Sequence, residues 1–72
     1  MWYYQTNIGM FKIIRNTSGR FDLWIDNIQL GSYPSVNAAA DDVYKQMTGW
    51  DEWDTLDTDS IPADLSEWVG RD

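Results

Sequence analysis

The sequence contains no cysteine and no histidine. No disulfide or thiolate zinc site can staple the chain, and cysteine usage points to no redox compartment. The missing imidazole and thiol also remove the usual general base, the thiol nucleophile and the softer metal ligands. The five glycines are isolated, so no glycine-rich loop is present to cradle a phosphate. No apolar run approaches the ~20 residues that span a bilayer. The start, Met1-Trp-Tyr-Tyr-Gln-Thr-Asn, lacks the basic and apolar regions of a secretory signal. Asn16-Thr-Ser has the form of a glycosylation sequon, but without a signal it reads as turn chemistry. These absences predict a soluble, cytoplasmic, non-catalytic protein with no cofactor, no metal and no membrane association.

Aromatic residues are abundant instead: five Trp, four Tyr and two Phe among 72 residues. A domain of this size buries only about 60% of the surface its unfolded chain exposes. Large aromatic side chains, each burying ~150–250 Å², are the expected compensation for a thin core. The net charge of −7 is unevenly placed. In residues 1–49, Asp22, Asp26, Asp41 and Asp42 balance Lys12, Arg15, Arg20 and Lys45. Residues 50–72 carry eight carboxylates against Arg71 alone. The chain reads as one domain, a neutral body (1–49) with an acidic aromatic tail (50–72) packed on it.

The body is organised around Arg20 to Gly31. Phe21, Leu23 and Ile25 alternate with Asp22 and Trp24, the period-2 pattern of a half-buried strand. A two-residue turn at Asp26-Asn27 pairs Ile25 with Ile28 and Leu23 with Leu30, placing all five apolar side chains on one face. Upstream, Met10 to Arg15 has strand composition and leads into Asn16-Thr-Ser-Gly19. A three-residue loop with Gly19 at positive φ pairs Arg15 with Phe21, Ile13 with Leu23 and Phe11 with Ile25. A four-residue loop would turn Lys12 inward instead. Trp2 to Asn7 is a leading strand or an ordered arm.

A lone three-stranded meander is marginal in water and needs a cover. Ser35 is a suitable N-cap for a helix over Val36 to Thr48. Val36, Ala39, Ala40, Val43 and Met47 form its apolar stripe, with Gly49 placed to end it. The expected fold class is thus α+β: a three-stranded antiparallel β-meander packed on one α-helix. The tail, with Trp50, Trp53, Leu56, Ile61, Leu65, Trp68 and Val69, is too apolar for a disordered segment. Pro62 suits the first position of a short helix that would place Leu65, Trp68 and Val69 on one face.

Asp51, Asp54, Asp57 and Asp59 raise the question of calcium, but Asp57-Thr-Asp59-Ser-Ile61 lacks the turn glycine and closing glutamate of an EF-hand loop. They read as a solvated acidic face. The candidate binding surface is the outward face of the meander, which presents Met10, Lys12, Ile14, Arg20, Trp24 and Gln29. Trp24 lies centrally, between Lys12 and Gln29. It is either an exposed anchor or covered by the tail's own tryptophans in a second minicore.

Gly19-Arg-Phe-Asp-Leu-Trp-Ile, then Leu30-Gly-Ser-Tyr-Pro-Ser, then Ala39, Ala40 and Val43 resemble the second and third strands and helix of the AP2-type DNA-binding domain. The similarity covers about residues 19–47. It implies a three-stranded sheet packed on one helix, with arginines and tryptophans of the exposed sheet face gripping duplex DNA. Lys12, Arg20 and Trp24 are the residues that match that role. The arginine-rich first strands of the family are missing, and Asp22 lies on the same face. Phosphate neutralisation drives duplex binding, and a neutral body with an acidic tail is poorly made for it.

The expected function is therefore a non-catalytic module that captures a protein partner. Substitution of Trp24, Ile14 or Tyr4 is expected to abolish that capture. The alternative is an AP2-like nucleic-acid-binding domain whose acidic tail folds over Lys12, Arg20 and Trp24 and masks them. Mimicry of DNA by the tail is a third reading. An uncovered sheet edge or aromatic face also allows a weak homodimer beside a monomer.

Overall fold

Alternation and turn chemistry produce an antiparallel sheet larger than the expected meander. The computed structural model describes residues 1–70. Its strands are β1 (Trp2–Thr6), β2 (Gly9–Arg15), β3 (Phe21–Ile25), β4 (Ile28–Tyr33) and β5 (Val69–Gly70), in the order β4-β3-β2-β1-β5. Helix α1 (Val36–Tyr44) and the short α2 (Asp51–Asp54) lie on one side with the tail as far as Trp68. The α+β class with one main helix holds, but the sheet has five strands rather than three. Trp2 to Thr6 is a leading strand, and the tail returns to add the fifth. Arg71 and Asp72, which contribute to the tail's charge, lie outside the described residues.

The central registers are those that burial demands. Phe11 faces Ile25, Ile13 faces Leu23 and Arg15 faces Phe21. Gly19 takes φ +79° and Asn16 pairs with Arg20 through N–H···O of 2.8 Å, closing the three-residue loop. The Asn16 side-chain oxygen also accepts from the Ser18 and Arg20 amides. At the next hairpin Ile25 faces Ile28, as expected, but the pairing then shifts. Trp24 faces Gln29 while Leu23 faces Gly31, so Leu30 is an extra residue, a β-bulge. The bulge reverses the phase of the rest of the strand and turns Tyr33 inward, where its hydroxyl donates to Asp42 Oδ2 at 2.7 Å. Burial, and then the Asp42 carboxylate, push the Tyr33 phenol well above its ordinary pKa. The expected Leu23–Leu30 pair is therefore replaced, although Leu30 still packs against the core. Ile28, expected in the core, is 57% exposed because it sits on the edge strand beside the turn.

Helix α1 begins as the sequence predicts, with Ser35 Oγ accepting from the Ala38 amide at 3.1 Å. It buries Val36, Ala39, Ala40 and Val43 against the sheet. It ends at Tyr44 rather than Thr48. Gln46, not Gly49, takes the left-handed position closing this helix (φ +55°), and the Gln46 and Met47 amides return to the Val43 and Asp42 carbonyls. A left-handed glutamine is unusual, and its side chain accounts for it: Nε2 donates to the Trp53 and Leu56 carbonyls at 2.7 and 2.8 Å. Asp54 completes the junction by accepting from the Thr48 amide and hydroxyl and from the Gly49 amide. The junction displaces Met47 from the expected stripe, and Met47 is exposed.

The tail is part of the core. The Trp53 ring is 1% exposed, lies edge-on to Phe11 at 5.1 Å, and donates from Nε1 to the Val43 carbonyl at 2.9 Å. Trp50 and Trp68 also surround Phe11. Beyond buried Pro62 the chain makes a 3₁₀ turn (Leu65–Glu67) instead of an α-helix. Asp64 caps it through Ser66, whose hydroxyl and amide hold the carboxyl below its usual pKa. Trp68 is buried, but Val69 faces the other way, so the expected Leu65–Trp68–Val69 face does not form. Gly70 pairs with Trp2 at φ +107°, so close to the Met1 carbonyl that a Cβ would overlap it.

Candidate functional site

Strand alternation assigns the outer face once the inner one is known. Phe11, Ile13, Phe21, Leu23 and Ile25 are buried inside, so Met10, Lys12, Ile14, Asp22 and Trp24 lie outside. In β1, Trp2 packs on Phe21 and Tyr4 on Trp68, which leaves Tyr3 outside. The registers then place Val69, Tyr3, Lys12, Trp24 and Gln29 side by side, one from each strand. With strands about 4.8 Å apart, the Tyr3 and Trp24 side chains stand roughly 10 Å apart with Lys12 between them. A second row holds Ile14, Asp22 and Ser32.

All six candidate residues share this face. Trp24, Lys12, Ile14 and Met10 are half-buried, while Gln29 and Arg20 are exposed. Arg20 lies just before β3 and reaches across to Ser32, donating from Nε to Oγ at 2.9 Å and from Nη2 to the carbonyl at 3.0 Å. Asp22 Oδ1 accepts from the Asn16 amide at 3.0 Å. Among the described residues Lys12 has no ion-pair partner.

This geometry bears on two alternatives that the sequence left open and on the placing of Tyr4. The tail's tryptophans do not cover Trp24. They pack on the inner face around Phe11, where burial of apolar area is shared with α1. The described part of the tail consequently does not fold over Lys12, Arg20 and Trp24. Tyr4 is not an outer-face residue, because it lies 5.8 Å from Trp68 on the inner side. Tyr3 and Val69 were missing from the candidate set. The β1–β2 hairpin puts Tyr3 in line with Lys12 and Trp24, and the pairing of β5 with β1, which has no local sequence signal, adds Val69.

Charge divides by layer more sharply than by position in the chain. Residues 1–33, which form the first four strands, carry Lys12, Arg15 and Arg20 against Asp22 and Asp26. Residues 34–70 carry nine carboxylates against Lys45 alone. The sheet layer is therefore slightly positive and the helix-and-tail layer strongly negative.

A cleft of about 240 Å³ lies between the β1–β2 turn and the tail. Tyr4, Thr6, Asn7, Trp53, Leu56 and Thr58 contribute to its wall, which includes no carboxylate, lysine or arginine. It can offer hydroxyls and amides to a neutral solute but no strong acid or base. Among the described residues no three acidic side chains are grouped to hold a metal ion. No described helix is long and apolar enough to cross a membrane. Compared with known proteins, the chain matches no family model, no curated protein and no solved structure.

Proposed function

We propose that the chain is a small non-catalytic interaction module that docks a protein partner on the outer face of its sheet. The observation that carries this reading is the position of Trp24. It stands in a five-strand row over which the described residues place no second layer, while the four other tryptophans lie on the inner side. A large amphipathic ring flanked by Tyr3, Ile14 and a lone lysine has the composition of an interface centre. A photo-cross-linking amino acid placed at Trp24 should give a higher-mass adduct in cells, and the same group at exposed Thr17 should not. Equal labelling from both positions would remove the proposal.

The layered charge favours one second reading, an AP2-like contact of this face with nucleic acid. Lys12 and Arg20 would meet phosphates, and the acidic layer would point away. Such binding is expected to weaken steeply with salt. It is checked by titrating the whole chain with duplex DNA at low ionic strength.

A further inference from the structure

We infer that the occupant of the outer face is a second copy of this chain, joined face to face about a two-fold axis. The inference rests on that face being a docking surface and names the partner. Its basis is a self-complementary quartet. Lys12 and Ile14 on β2 lie opposite Trp24 and Asp22 on β3. The charged residues therefore occupy one diagonal of the quartet and the apolar residues the other.

A two-fold axis lying in the interface along the Ile14–Trp24 diagonal places Ile14 on its own counterpart and Trp24 on its own counterpart. The same operation brings Lys12 over Asp22 of the other copy, twice. An isologous contact requires this kind of self-match. Strand and residue spacings make the two sets of strands cross at roughly 70°, near the orthogonal class of sheet packing. Lys12 has no ion-pair partner within the described chain, and Asp22 uses Oδ1 for Asn16, leaving Oδ2 for the lysine.

The charge layering supports the same arrangement. Two chains carrying −7 each repel, but face-to-face packing joins the slightly positive sheet layers. It also holds the acidic layers about 30 Å apart, well beyond a Debye length of about 8 Å at physiological salt. The face measures roughly 20 Å by 17 Å from its strand count and length. Burying it on both copies gives on the order of 1,000 Å², the lower limit of specific association. The dimer is accordingly weak and concentration-dependent.

Sedimentation of the full chain from ~10 μM to ~1 mM should show its mass rising towards twice the monomer's, less so in high salt. Lys12→Asp alone and Asp22→Lys alone should each be monomeric, because each places like charges opposite one another. An equimolar mixture of the two variants should sediment as a dimer again, and so should the double variant. Circular dichroism confirms that each variant is folded. If Asp22→Lys loses the fold with its Asn16 bond, Asp22→Asn keeps an acceptor there and should still abolish the salt-sensitive part of the association. A wild-type chain that stays monomeric at ~1 mM overturns the second copy. So does a wild-type dimer unaffected by either charge reversal, or a mixture that stays monomeric. The docking surface itself is judged separately: a monomeric chain that still gives Trp24-specific adducts with another protein, or a Trp24 indole shifted by duplex DNA, loses only the homodimer.

Discussion

The two faces of the sheet hold similar side chains in opposite circumstances. On the inner face Phe11 is surrounded by Trp50, Trp53 and Trp68, and the Trp53 indole N–H is bonded to the Val43 carbonyl. On the outer face Trp24 stands between Lys12 and Gln29, and among the described residues no layer lies above it. The thin core of a small domain explains the first arrangement. The acidic segment, by composition a tail, is the second half of the core's cover. The second arrangement does nothing evident for folding, which is why it directs attention to binding.

The largest test of the contrast is Trp53→Ala. Removing a fully enclosed indole and orphaning a carbonyl should lower stability by about 3–5 kcal/mol. That is a large share of what a small domain has, so urea denaturation at 25 °C should find the variant mostly unfolded. Full retention of the wild-type midpoint would mean that the tail is not integral to the core.

A middle-sized effect is expected at the inward turn of β4. Tyr33→Phe removes the bond to Asp42 and should cost about 1 kcal/mol at neutral pH. The folded state holds the phenol proton more tightly than the unfolded chain, in which the ordinary value is 10.0. This stabilisation is complete below that pH and is lost as pH rises through the raised folded value. Denaturation midpoints measured from pH 8 upward should fall more steeply for the wild type than for Tyr33→Phe. Parallel curves would remove Tyr33 as their cause.

The smallest effect on stability is expected at Trp24→Ser, within about 1 kcal/mol, because a half-covered surface ring has little enclosure to lose. The same change should abolish the self-association assigned to the outer face. A loss of stability rivalling that of Trp53→Ala would erase the distinction between the two faces.

Local chemistry made much of this fold legible in advance. Asn16 to Gly19 specified a bulged loop, and the alternation of Phe21, Leu23 and Ile25 chose its register. Ser35 marked the start of the helix. Three features were not legible, and each depends on residues distant in sequence. The bulge at Leu30 goes with the pull of Tyr33 towards Asp42. Gln46 ends α1 because its amide can grip Trp53 and Leu56. Val69 joins the Trp24 row because β5 closes on β1.

The sequence alone determined the α+β class, the register of β2 on β3, the inward apolar residues of those two strands and the surface bearing Lys12, Ile14 and Trp24. These come from periodicity and turn geometry, which act over a few residues. The tertiary structure decided the side of the sheet on which the tail packs, the number of strands, and whether Trp24 is covered. Those outcomes depend on competition for buried area. Tryptophans add more at a site already half enclosed by α1 than on an open face, so the tail goes to the inner side and the outer row is left available.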